Sequence, residues 1–167
     1  MFEYLCKRFE WVDAQLSGVN WKAIGLAKRR LSDDQSIQTS KMTHLWLNIG
    51  KQNARITKRA AGAACPCCGR KLEDQNHPYT CKHNKMAATV TEGISKMEEA
   101  LATEKMPPGV VIIFVERVRK VTGTLTGKRQ LQCSTANRAG NLQDTLGLEA
   151  ILCGHHYTAW MEAISRT

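Results

Sequence analysis

Apolar side chains recur at three- and four-residue intervals along most of this chain, the period of a helix with one buried face. In residues 2–16, Phe2, Leu5, Phe9, Val12 and Leu16 form one stripe, which predicts an amphipathic helix ended by Ser17-Gly18. Residues 20–31 follow with Asn20 as N-cap and Trp21, Ile24, Ala27 and Leu31 on one face; Lys28, Arg29 and Arg30 occupy the rest. Ser32-Asp33-Asp34 caps a third helix from about Gln35 to Ile49, with Ile37, Met42, Leu45, Trp46 and Ile49 inward and Gly50 as its stop. Residues 51–64 read as a connector, basic at first and then small.

Helical spacing returns at 84–105, where Met86, Val90, Ile94, Met97 and Leu101 share a stripe. Pro107-Pro108 breaks it, and Pro108 suits the first turn of the next helix. The run Val110–Val115 is β-branched enough for a strand, but its helical neighbourhood favours a buried helix through about Val121. Residues 122–140, rich in Gly, Ser and Thr, read as a loop with a basic tip at Lys128-Arg129. A last helix is expected over 141–164, kinked or closely packed at Gly147 and Gly154. No internal repeat or low-complexity tract interrupts this order.

Chemistry enters between the two helical stretches. Cys65-Pro-Cys67-Cys68-Gly69 is followed by His77-x3-Cys81 and then His83. A tight Cys-x2-Cys turn brings two thiolates to one ion, Gly69 permits the backbone that follows, and His77 and Cys81 lie one helical turn apart. Three sulfurs and one imidazole suit the closed tetrahedron of a structural zinc ion. The expected ligands are Cys65, Cys68, His77 and Cys81, with Asp74 or Glu73 orienting His77 through its second ring nitrogen. Cys67 can replace either knuckle cysteine, and His83 can replace His77 or Cys81. A redox Cys-x2-Cys is a weaker reading because no βαβ pattern surrounds it. A catalytic zinc would need an open position and a poised Glu, as in a His-x-Glu motif, which is absent.

The other titratable groups read as structural. Cys6, Cys133 and Cys153 are lone thiols. His155 and His156, adjacent on the expected helix, would point about 100° apart and so rarely share an ion. His44 is a packed or surface side chain, and the four Trp residues are core anchors, with stacking on a nucleic-acid base as the alternative for Trp46 beside its basic neighbours.

The fold class expected is therefore mainly α, a small helical bundle with an inserted zinc knuckle. Residues 1–60 form a basic helical segment, 61–83 the knuckle, and 84–167 a second helical segment that makes one compact unit with the first. At 167 residues, with 43% hydrophobic and 23% charged side chains, the chain closes a modest core that a metal clip would help.

Net charge is +9, and it is uneven. Residues 1–60 carry 11 basic and 5 acidic side chains, whereas 61–106 carry 6 of each. From Lys41 to Ala60 the chain holds Lys41, Lys51, Arg55, Lys58 and Arg59 without an acid. That patch suits a polyanion, so RNA or DNA is the expected partner; a solvated face is the plainer alternative. The first residues carry Glu3, Lys7 and Arg8 with no apolar stretch after a basic start, unlike a signal peptide. The longest apolar run, Val110–Val115, is far below the ~20 residues that span a bilayer. An intracellular protein without membrane contact is expected, nucleus and cytoplasm being equally compatible. Its seven cysteines are then metal ligands or thiols rather than disulfides.

In order and spacing, Trp21, then Lys41-Met-Thr-His44-Leu-Trp46-Leu-Asn-Ile-Gly50, then Cys65-Pro-x-Cys68-Gly, Glu73-Asp, His77 and Cys81, resemble the region that follows the reverse transcriptase domain in eukaryotic non-LTR-type retroelements, notably those of diatoms and related algae. Gln143-Asp-Thr-Leu-Gly147, Ile151-Leu-x-Gly154 and Trp160 are similar to that family's closing helix, so the resemblance covers about residues 9–163. It implies a zinc module beside a polymerase that helps hold template RNA or target DNA, with Cys65, Cys68, His77 and Cys81 as ligands. Two departures are the extra thiol at Cys67 and Leu148 where the family usually has Trp. No Tyr-x-Asp-Asp box and no nuclease carboxylate set are present. The chain is therefore expected to be non-enzymatic, a C-terminal piece whose parent polymerase is a separate or ancestral chain. The competing expectations are a structural or protein-interaction relic in which zinc only stabilises the fold, and a thiol-based redox protein.

Overall fold

The computed structural model describes residues 2–44, 49, 63–70, 72–74, 76–125 and 134–165. Among these residues it is mainly α, ten helices with the cysteine-histidine segment inserted between the fourth and sixth. They are α1 (Phe2–Phe9), α2 (Asp13–Gly18), α3 (Trp21–Lys28), α4 (Asp33–Thr43), α5 (His77–Thr80), α6 (Asn84–Thr103), α7 (Pro108–Thr122), α8 (Ser134–Thr145), α9 (Leu148–Leu152) and α10 (Ala159–Ser165).

Helix α7 is the axis of the bundle. Its Val110–Val115 run is helical rather than extended, and Pro108 occupies its first turn. Two faces are buried at once. Val110 and Ile113 pack with Ala136, Ala139, Trp160 and Ala163 of α8 and α10. Val111, Val115 and Val118 pack with Ile94 of α6 and Ile151 of α9. The α6 stripe behaves as its spacing predicts, since Val90, Ile94, Met97 and Leu101 all join this second cluster. Gly123, at φ 70°, closes α7 with Thr124 N–H donating to the Arg119 carbonyl over 2.9 Å.

Helix α8 starts inside the stretch read as a loop. It carries no aliphatic stripe; instead Ala136, Ala139, Gly140 and Gln143 are buried on one face. These small residues let α8 approach α7 closely. A Cβ on Gly140 would lie 3.0 Å from Ile113 Cγ2. The single closing helix expected over 141–164 is three helices, because Gly147 (φ 88°) and Gly154 (φ 77°) take left-handed conformations that end helices rather than bend them.

The amino-terminal stripe is likewise split. Glu10, at φ 56°, ends α1, and Trp11 N–H donates back to the Cys6 carbonyl over 2.9 Å. Trp11 turns inward, its indole donating to the Leu146 carbonyl over 2.7 Å. The tertiary bond and the burial of that ring outweigh local helix continuation. Helix α3 keeps its Asn20 cap, whose Oδ1 accepts from Ala23 N–H, and α4 keeps Ser32 and Gln35 as reciprocal caps. Helix α4 ends at Thr43, short of the expected end at Ile49, with Ile37 exposed rather than inward. Thr43 Oγ1 is bonded back to the Thr39 carbonyl at that end. Leu45, Trp46, Gly50, Cys133 and the Lys128-Arg129 tip lie outside the described residues.

The amino-terminal helices dock through a short antiparallel contact, Val19 against Tyr157. Asn20 N–H donates to the His156 carbonyl and Thr158 N–H to the Gly18 carbonyl, each over 2.8 Å. Gly18 is required there, since a Cβ would fall 2.3 Å from the Tyr157 ring. Gln143 ties this seam to the bundle. Its amide donates to the His155 carbonyl at 2.8 Å and accepts from Tyr157 N–H at 2.9 Å and Trp160 Nε1 at 3.1 Å. His155 is 0% exposed, ringed by Phe9, Trp11 and Trp21 at 5.0, 5.2 and 5.7 Å, and both its ring nitrogens are without hydrogen-bond partners.

Two outcomes follow. Gln143→Met strands the Trp160 indole and the Tyr157 amide, and should cost about 3 kcal/mol in denaturant unfolding while helicity survives. Burial, with the charge that His156, His44 and Lys28 carry when protonated, lowers the His155 pKa from 6.5 to about 4. The unfolded chain then takes a proton near pH 6.5 that the folded chain refuses. Stability is complete above that pH and falls as pH drops to 4, by about 3 kcal/mol from this group. Urea titrations at pH 7, 6 and 5 should show that loss, and His155→Leu should remove this group's share while leaving that of His156, whose pKa burial also lowers to about 4.

Candidate metal centre

The cysteine-histidine segment builds its turn from backbone hydrogen bonds. Cys65 N–H donates to the Arg70 carbonyl and Gly69 N–H to the Cys65 carbonyl, each over 2.9 Å, and Glu73 N–H closes onto the Ala63 carbonyl over 2.7 Å. Gly69 sits at φ 71° with open space around it, so the requirement is conformational rather than steric. Asp74 Oδ1 then accepts from Asn76 N–H at 3.1 Å and His77 N–H at 2.9 Å. This turn launches α5 with His77 first and Pro78 second, and Cys81 follows its last residue. Tyr79 anchors the short helix by donating to Met42 Sδ of α4 over 3.3 Å.

These elements bring one donor atom each from Cys65, Cys68, His77 and Cys81 within 4.8 Å of one another. Four N/S ligands around zinc sit roughly 3.5–3.8 Å apart, since Zn–S is ~2.3 Å and Zn–N ~2.0–2.1 Å. The cluster is of that size, and its four side chains can hold a metal ion. Cys67 and His83 are not part of this group. Cys65, His77 and Cys81 are each 4% exposed, while Cys68 faces solvent.

The electrostatics also call for a cation. The Arg70 backbone N–H holds the Cys68 thiol below its ordinary range. Cys81 moves the other way: the His83 N–H draws it down, but burial and the sulfurs of Cys68 and Cys65 raise it. Sulfurs this close cannot all ionise alone, and a divalent ion among them removes the conflict.

The ring of His77 is oriented differently from expectation. Nε2 lies 3.2 Å from Cys68 Sγ, and Nδ1 faces Arg70 Nη1 at 3.2 Å rather than a carboxylate. Asp74 works instead on the His77 backbone and on Arg70, whose Nη2 lies 3.5 Å from its Oδ2. A metal on Nε2 leaves the ring proton on Nδ1, donor against donor, so the guanidinium opposes loading.

Of the residues predicted for nucleic acid, Lys41 is exposed on the last turn of α4. Lys51, Arg55, Lys58 and Arg59 lie outside the described residues. Lys22, Arg29 and Arg30 of the α3 region are exposed as well. No helix among the described residues is long and apolar enough to cross a membrane. No family model, no curated protein and no solved structure matches the chain.

Competition with a chromogenic chelator separates the two outer residues. Asp74→Ala should weaken metal binding about tenfold, because the turn that sets His77 loses its acceptor. Asp74→Asn keeps that acceptor and should stay near wild type. Arg70→Ala should bind metal no more weakly than wild type.

Proposed function

We propose that this chain is a non-enzymatic zinc-binding module that contacts RNA or DNA through a basic face. The observation that carries the reading is the convergence of Cys65, Cys68, His77 and Cys81 within 4.8 Å. Zinc is the metal of choice because three thiolates and one imidazole form a closed, soft, four-ligand set. That set leaves no open position for a reacting water, which is why the metal's role here is structural.

The nucleic-acid part rests on charge and placement. The chain carries +9, and the basic part of its acid-free run begins at Lys41 on the end of α4. The neighbouring residue, Met42, touches Tyr79 of the knuckle helix, so the basic segment starts beside the metal centre. The resemblance to the region after retroelement reverse transcriptases agrees with this arrangement, and a C-terminal piece of such an element is the origin we infer. A second reading has its own support. The Tyr79–Met42 bond and the burial of three of the four donor residues fit a zinc ion that only fastens α4 to the α6–α7 core.

Metal analysis comes first, with one zinc per chain expected, lost in Cys68→Ser together with the protease resistance of the knuckle and part of the α4 helical signal. A wild-type chain that takes up no zinc would end the proposal. Binding to single- and double-stranded probes is then followed against salt. A footprint of about six phosphates predicts an affinity loss on the order of a thousandfold between 50 and 200 mM salt. Zinc-dependent folding with no salt-sensitive binding leaves the structural reading.

A further inference from the structure

Helices α3, α6, α7 and α10 and the 156–157 turn border a half-open pocket of about 220 Å³. Its wall is apolar. Phe114, Trp160 and Met161 contribute, Ala23 faces it from α3, and Asn20 and His156 are the polar residues at its side. The aromatic wall is fixed in place: His156 stacks on Phe114 at 5.3 Å and 12°, and Trp160 stands nearly perpendicular to Phe114 at 5.4 Å and 79°. Asn20 is fixed too, because its Oδ1 is committed to Ala23 N–H.

Size, polarity and charge narrow the occupant. An apolar cavity of roughly 150 Å³ takes a benzene-sized molecule and stays dry otherwise, since water needs two to four polar partners. The larger volume here fits two fused rings. No Lys, Arg, Asp or Glu lines the cavity, and burial lowers the His156 pKa to about 4, so its imidazole is neutral. A charged ligand would leave water without a counterion. A second cavity of about 240 Å³ shares Asn20, Ala23 and His156, so the same side chains also border the space between α3 and α4.

We propose that the 220 Å³ apolar pocket is a binding site for a small uncharged aromatic molecule of one or two fused rings, seated against Phe114 and Trp160. Such a ligand gains the buried area and ring contacts of a preformed aromatic wall without desolvating a charge. The site is independent of the metal centre and of any nucleic-acid role.

Calorimetric titration of the full zinc-loaded chain with indole tests it. One-site binding with Kd on the order of 0.1 mM is expected for a ligand of about nine heavy atoms. Indole-3-carboxylate, the same ring with a charge, should bind about tenfold more weakly or worse. Ala23→Leu fills the cavity from a half-buried helical position and should reduce indole affinity at least about tenfold. Met161→Trp, at an exposed rim position, is the second variant and should also weaken binding if the first does not fold. No saturable heat at millimolar indole overturns the proposal. So does equal affinity for the carboxylate, or binding unchanged in a folded variant.

Discussion

The amide of Gln143 is buried to 1% exposure and spends its donor and its acceptor inside the protein. It sits on α8, against the α7 axis, and holds the backbone at 155–157 that receives the amino-terminal helices. The contact is costly to misplace, because an unmet polar group at that depth forfeits its hydration without return. Gln143 therefore fixes register as well as stability. The three apolar clusters meet around this region: Trp160 belongs to the first, Ile151 to the second, and Leu146 and Ala150 to the third. Helix α7, buried on two faces, supplies the mass of the core, and the glutamine decides how the remaining helices sit on it.

His155 shows the cost of that arrangement. Its carbonyl is bonded to Gln143, so its ring is carried into the cage of Phe9, Trp11 and Trp21. The imidazole fills the space as an aromatic would, but brings two nitrogens that find no partner there. Edge-to-face contacts with three rings offset part of that penalty. The outcome is a core that tolerates a neutral histidine and rejects a protonated one, so pH acts on docking of the amino-terminal helices through His155 together with its buried neighbour His156.

Much of the fold was legible because α3, α6 and α7 carry their information locally: an Asn20 cap, a regular apolar stripe, a Pro108 start. The cysteine spacing likewise pointed to one cluster, since a Cys-x2-Cys turn and a His-x3-Cys helical turn each present two donors on one side. What stayed hidden was tertiary. Glu10 is not a residue that announces a left-handed helix end, and only the Leu146 carbonyl explains why Trp11 turns inward. The first part of α8, residues 134–140, reads as loop because small residues usually mark turns. The spacing of Ala136, Ala139, Gly140 and Gln143 is nevertheless helical, and that period was the available signal. Arg70 beside His77 left no trace in spacing at all, since a basic residue inside a knuckle reads first as a phosphate contact.

The metal centre and the helical core solve different problems by different means. The bundle buries enough aliphatic surface to stand on packing, whereas residues 63–74 contribute turns, backbone hydrogen bonds and few apolar side chains, with Leu72 half exposed. Such a segment has little hydrophobic reason to hold one shape. Its order must come from the sulfur and imidazole donors, and it is joined to the bundle through α5, where Tyr79 meets Met42. If a cation is held there, its removal would loosen the knuckle first and reach α4 through the Tyr79–Met42 contact, while the α6–α7 pair, sealed by its own valines and isoleucines, remains. Lys41 lies on the last turn of α4, next to Met42, so an ion held by this cluster would bear on the position of that basic side chain through the same contact.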